Sequence, residues 1–315
     1  MTATTPDAPR SPVPSPGPIP GAAFPDGLRR RSLAALYRRP RAQILLLLTP
    51  PAGWFGVVYL GSLALLLVTA LWTFDGVTGR VVQHWTLDNF GQLISQPAFR
   101  TVALRTLLFA VAVTVADMLI AFPIAYFMAQ VASPRTRSVL FMLCLLPLWA
   151  SYLVRVYAWR VILAPNGPLD WTLGLVGLKP AGLYPSELGV GIVFTYLWLP
   201  YMILPLYAGL ERVPRSLLEA SADLGARGAT TFRRIVLPLV LPALAAGSIF
   251  TFSLTLGDYI TPGLVSNNQF IGNVIFEQQG VSGNLPLAAA FAVVPIAIMA
   301  VYLFVARRLG AFEAL

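Results

Sequence analysis

The chain has 315 residues, of which 57% are hydrophobic and 11% charged, with a net charge of +9 and a mean hydropathy of +0.72. A water-soluble domain carries roughly 25% charged residues, so the composition excludes a chain bathed in water on every side and places most of it in lipid. One histidine (His84), one cysteine (Cys144) and one lysine (Lys179, followed by Pro180) exclude a clustered zinc site, an intrachain disulfide and a G-x-x-x-x-G-K-[ST] phosphate loop.

Eight of the first 25 residues are proline. Such a tract forms no helix and builds no core, so residues 1–43 read as a disordered, Pro/Arg-rich tail, with a proline-rich partner ligand as the other reading. No leader-type apolar run precedes about residue 44. From there, about 20 apolar residues at ~1.5 Å rise each are needed to span a bilayer. The charges cut out six such segments: Arg41–Asp75, with Trp54–Phe74 uninterrupted; Arg105–Arg135, broken only by Asp117; Ser138–Leu163, with Arg155 and Arg160 towards its end; Glu187–Glu211; Arg234–Asp258; and Glu277–Arg307. The expected fold is therefore all-α, a six-span domain over residues 44–308 followed by a short tail, 309–315. His84 reads as a loop residue and Cys144 as an apolar filler in span three.

Arginine distribution sets the expected orientation. Sixteen of the 22 basic residues fall in the N-terminal segment, between spans two and three, between spans four and five, and after span six. All four segments lie on one face of a six-span chain, and Lys and Arg are retained on the cytoplasmic side. Both termini are thus expected in the cytoplasm of a bacterial inner membrane, and the charge surplus calls for no nucleic-acid partner.

The segment 211–238, on that face, is longer than an ordinary connection. Pro214 suits a first helical turn, Leu217, Leu218, Ala222 and Leu224 make an apolar stripe, and Gly225 stands where a helix would stop. Thr230 or Thr231 would cap a second short helix ending near Leu237, before Pro238. Two short helices with a glycine elbow fit a docking knob; a helix lying on anionic headgroups is the other reading.

Glu219-Ala220-Ser221, then Gly225, then Ile235-x-Leu237-Pro238 resembles the E-A-A-x3-G-x9-I-x-L-P signature of the membrane subunits of binding-protein-dependent ABC importers, with Ser221 in place of the second alanine. Further stretches are similar to the first permease subunit of spermidine/putrescine importers: Leu87-Asp88-Asn89-Phe90, Thr106, Phe122–Tyr126, Ser151–Leu163, and Leu256–Pro262. The resemblance covers about residues 44–308. It implies a type I importer fold, no activity as an enzyme, no cofactor or metal of its own, and a loop that couples to a separate ATPase through Glu219, Ala220, Ser221, Gly225, Ile235, Leu237 and Pro238. It also implies three kinds of partner: a second homologous permease, cytoplasmic ATP-binding subunits and an extracytoplasmic solute-binding protein. The implied solute is a polyamine, with opines, amino acids or other small solutes as the alternative within the family. A secondary transporter would show inverted repeats with broken helices, and none is clear here.

Five residues are candidates for the solute pathway: Asp117, Arg155, Trp159, Asp258 and Tyr259. A charge within a span is costly and often functional. Asp117 would attract a cation, or bond to a neighbouring helix or to the partner permease. Arg155, deeper than Arg160, needs a carboxylate or carbonyl partner. Trp159, with Tyr152 and Tyr157, would stack on a cationic solute or sit in an interfacial belt. Asp258 and Tyr259, at the outer end of span five, combine a carboxylate with a ring; a loop hydrogen-bond acceptor is the plainer role.

Overall fold

The computed structural model describes residues 40–308. The proline-rich tail up to residue 39 and the tail 309–315 lie outside the described residues, and the first helix begins at Pro40, ahead of the expected boundary at 44. Contacts divide the chain into two units that part between residues 63 and 64. The first contains the helix Pro40–Trp54 and a π-helical turn, Phe55–Leu60. The apolar run Leu47–Thr69, here α1, is long enough to cross a membrane.

The second unit opens with a feature outside the all-helical expectation. A two-stranded antiparallel hairpin pairs β1 (Thr73–Asp75) with β2 (Arg80–Val82). Its turn is closed by Asp75, whose carboxylate accepts the Thr78 hydroxyl (2.7 Å) and the Val77 N–H (2.9 Å). These bonds, the Thr78 hydroxyl first, hold the Asp75 carboxyl below the usual carboxylate range. The chain continues through α2 (Asp88–Ser95), where buried Asn89 donates to the carbonyls of Ala70 and Trp72 at 2.9 and 2.8 Å.

The remaining helices are α3 (Pro97–Val131), α4 (Pro134–Trp149), α5 (Tyr152–Leu163), α6 (Pro168–Leu175), α7 (Glu187–Glu211), α8 (Arg215–Asp223), α9 (Gly228–Gly257), α10 (Ile260–Val265), α11 (Ile271–Gly280) and α12 (Leu285–Arg308). Among the described residues, five helices (α1, α3, α7, α9 and α12) are long and apolar enough to cross a membrane, and α4 with α5 makes six when counted as one span. Span three is thus not the straight helix Ser138–Leu163. It bends by 95° between α4 and α5. Pro147 has no N–H for the helical ladder, and Ala150 and Ser151 are extended, with ψ of 142° and 137°.

Helices α3, α7 and α9 form the packed centre. Two glycines let α7 and α9 approach closely, since small residues at a crossing bring backbones together. A Cβ on Gly209 would collide with Ala243, and one on Gly247 would stand 2.8 Å from the Met202 sulfur. One buried cluster, with Met128, Met202, Leu206 and Val240, fills the end near the 211–238 loop. Another, with Val156, Phe194, Leu197 and Trp198, fills the opposite end.

Candidate functional site

The loop between α7 and α9 is ordered by its own backbone. Pro214 turns the chain with ψ 132° and precedes α8 instead of lying in its first turn. Gly225 takes φ +71°, the left-handed conformation, and the N–H groups of Gly225 and Ala226 reach back to the carbonyls of Ala222 (2.8 Å) and Ser221 (3.0 Å). This pair of bonds is a Schellman stop for α8. A separate second helix does not form. Gly228 opens a single helix, with Arg227 at its N-cap, which runs through a π turn (Phe232–Val236) into span five, and neither Thr230 nor Thr231 caps it. The π turn keeps the ladder continuous, so the knob is one short helix and the first turns of a long one.

The motif residues divide into two faces. Glu219 and Ala220 are exposed; Ser221 is buried, and its hydroxyl lies 2.8 Å from that of Thr231 across the elbow. Ile235 and Leu237 are half-buried, Leu237 against the buried cluster, while Pro238 is exposed. Of the expected apolar stripe only Leu218 turns inward; Leu217, Ala222 and Leu224 are exposed. Beneath α8 lies a cleft of about 340 Å³ lined by Phe122, Tyr126, Leu218, Phe232 and Val236, with Phe122 edge-on to Phe232 at 5.1 Å.

A polar network ties this loop to the neighbouring spans. Arg137 donates to the carbonyls of Met128 (3.0 Å) and Ala129 (3.1 Å), capping the end of α3, and to Glu211 at 3.2 Å. Gln130 donates to Leu210 O (2.8 Å), and Arg215 to Gln130 O (3.3 Å). In the sequence Glu211 only bounds a span, and Arg137 is one of the sixteen bases that set the expected orientation. The usable signal was their opposite sign on one predicted face.

At the far end of α9, the Asp258 carboxylate is a hub. One oxygen accepts the N–H groups of Ile260 (2.8 Å) and Thr261 (3.1 Å); the other accepts the Thr261 hydroxyl (3.0 Å) and the Tyr152 hydroxyl. The plainer role therefore describes its geometry, a cap on α10 that also holds α5. Tyr259 is partly exposed and stacks on Phe276 at 4.9 Å. Trp159 is half-buried against Tyr196 (5.2 Å), and Tyr152 stacks on Trp198 (6.0 Å). Arg160 donates to the Tyr184 hydroxyl at 3.1 Å. Asp117 is fully buried with neither oxygen bonded among the described residues, and buried Arg155 has no partner for Nε or Nη1. The partners expected for these two charges are thus absent among the described residues. Asp258, Tyr152 and Thr261 come together; no contact joins them to Asp117.

At this same end Arg105 pairs with Glu187 (3.1 Å) and donates to Gln269 O (3.2 Å), and Thr106 accepts the N–H of Ile271 (3.0 Å).

A family model described as "binding-protein-dependent transport system inner membrane component" matches residues 121–312, which include the whole loop and its elbow. The chain belongs to this family. It is similar to the inner membrane ABC transporter permease protein YdcU of Escherichia coli (strain K12), 49% identical over 89% of this chain and 93% of that protein. The spermidine/putrescine transport system permease proteins PotB of Haemophilus influenzae and E. coli are 33% and 31% identical, over 71% and 81% of this chain and 79% and 94% of theirs. Among solved structures, a bacterial ABC transporter that imports alginate has a TM-score of 0.63 at 19% identity, covering 88% of this chain and 99% of that one. The same kind of transporter in complex with an alginate pentasaccharide-bound periplasmic protein has 0.65 at 17%, covering 90% and 98%. The permease is thus a multi-pass inner-membrane protein and not itself an enzyme.

Proposed function

We propose that this permease is one of two homologous membrane subunits of an importer for a polyamine-type solute, with both termini in the cytoplasm. Cytoplasmic ATP-binding subunits would dock on Glu219–Pro238, and an extracytoplasmic binding protein would deliver solute at the Asp258 end. The observation that carries the coupling role is continuity: the elbow at Gly225 leads straight into α9, which runs unbroken to Gly257, beside the Asp258 hub. A helix of 30 residues is about 45 Å long, so a push on the loop reaches the opposite face of the bilayer as a rigid displacement. Asp258 and Tyr152 then pass it to α10 and α5, which carries Arg155 and Trp159. The polyamine reading is supported by the PotB relatives. Another small solute is the second reading, favoured by the more similar YdcU, whose name states no solute.

The test is uptake of labelled putrescine and spermidine by a bacterium lacking its own polyamine importers and supplied with this chain and its co-encoded subunits. ATP-dependent accumulation is the expected result. An assembled, ATP-hydrolysing complex that accumulates neither amine overturns the polyamine assignment and turns the screen to opines and amino acids.

A further inference from the structure

Among the described residues, the buried side-chain polar atoms that reach no partner belong to three residues: Asp117, Arg155 and Trp198. Two of these flank the Asp258 hub. Arg155 stands one turn on from Tyr152 along α5, and the Trp198 ring lies parallel to the Tyr152 ring at 6.0 Å. The hub itself is full, since the Asp258 carboxylate already accepts two N–H groups and the hydroxyls of Thr261 and Tyr152. A neutral phenol thus holds the carboxylate while a guanidinium on the next turn leaves Nε and Nη1 bare. The phenol is the weaker donor of the two, because a guanidinium grips a carboxylate with two parallel, charge-assisted bonds. Arginine does not escape by losing its proton. The packing therefore holds an uncompensated charge that a second arrangement would pair.

The build of α5 permits that arrangement. The helix is set off at both ends, by extended Ala150 and Ser151 before it and by extended Ala164 and then Asn166, at φ +60°, after it. Only Arg155, Val156 and Leu163 are buried along it, while Leu153, Val154, Tyr157 and Val161 are exposed. Residues three apart on a helix are related by about 4.5 Å of rise and about 60° of rotation. A relative shift of that size between α5 and the end of α9, less what the arginine stem itself spans, puts Arg155 where Tyr152 is. There the guanidinium also lies over the Trp198 face that Tyr152 now covers, a contact arginine makes with indole rings. Asp117, the other unpartnered charge, is on α3, whereas α5 packs chiefly on α6, α7 and α10.

We propose that Arg155 is the second partner of Asp258: when ATP drives the coupling loop, the carboxylate passes from the Tyr152 hydroxyl to the Arg155 guanidinium. Arg155 is then a positioning residue that joins α5 to α9 in one access state, as Tyr152 does in the other. The exchange rests on the importer function proposed above. The test is thermal unfolding of the permease purified with its co-encoded subunits, without nucleotide and after trapping with ATP, magnesium and orthovanadate. Each variant is compared with the wild type in the same state. Without nucleotide, Tyr152→Phe should lower Tm by about 4 °C or more, and Arg155→Gln should leave it unchanged or raise it, since an unpaired charge is removed. In the trapped complex the order should reverse, with Arg155→Gln lowering Tm and Tyr152→Phe leaving it unmoved. Arg155→Lys keeps the charge but not the fork; it should show the same reversal at smaller size, and it carries the test if the glutamine variant does not assemble. A residue that only supports the fold would not reverse between states. Arg155→Gln lowering Tm already without nucleotide gives the guanidinium a partner in the second permease and overturns the exchange. A trapped complex whose Tm is unmoved by Arg155→Gln overturns the exchange alone, whereas a permease that co-purifies with no ATPase removes the importer reading and the exchange with it.

Discussion

Gly225 carries the elbow because its φ of +71° costs other residues about 1–2 kcal/mol, and more for a β-branched one. Gly225→Val should leave membrane insertion and elution intact but break the Schellman stop. Uptake should fall tenfold or more while ATP hydrolysis continues; transport at the normal rate would remove this residue from the coupling path. Ser221 acts differently. Its buried hydroxyl bridges to Thr231, whose other bond, to Arg227 O, is long at 3.5 Å. Ser221→Ala should cost about 1 kcal/mol, seen as a few degrees in Tm. It should keep most of the uptake, because the methyl group that the family signature carries there fits the same position. A loss of uptake with unchanged Tm would make the hydroxyl a docking contact.

The Asp258 hub joins three elements, the end of α9, the start of α10 and the first turn of α5, so its variants separate a joint from a solute contact. As a joint, Tyr152→Phe and Asp258→Asn should each lower Tm and uptake together, and the double variant should fall short of the sum because both remove one shared bond. A solute contact at Asp258 would instead show uptake falling in Asp258→Asn with Tm unchanged. How far such elements were legible depends on the signal that encodes them. Span four was bounded to the residue by Glu187 and Glu211, since charges mark where lipid ends. The 95° bend in span three was not, because Pro147 alone does not distinguish a kinked helix from a broken one, and Pro200, Pro205 and Pro242 all sit inside unbroken helices. The elbow was written in one glycine, but the merger of the second loop helix with span five was not. Arg233 and Arg234 suggest a boundary, yet their exposed side chains sit on a π turn through which the backbone carries on. Partners were the least legible. Asp258 stood out as a charge near a span end, while the Tyr152 hydroxyl that meets it is 106 residues away.

Across the whole molecule, α7 is held at both its ends to the same stretch of chain: Glu187 to Arg105 on α3, and Glu211 to Arg137 just after it. Against this pair α9 packs with close approaches to α7 at Gly209–Ala243 and Gly247–Met202. The clamps are unequal in their parts. Exposed ion pairs contribute about 0–1 kcal/mol, so Glu211→Gln should barely change stability. Arg137 also caps Met128 O and Ala129 O at the π-helical end of α3, where hydrogen bonds to a charged group are worth about 1.5–3 kcal/mol each. Arg137→Ala should therefore lower Tm by far more than Glu211→Gln, and raised salt should shrink the effect of Glu211→Gln while leaving most of the Arg137→Ala effect in place. Thermal unfolding of the three purified proteins at low and high salt decides it. Equal losses from the two variants would mean that the ion pair alone holds the clamp, and that α3 ends without help from Arg137.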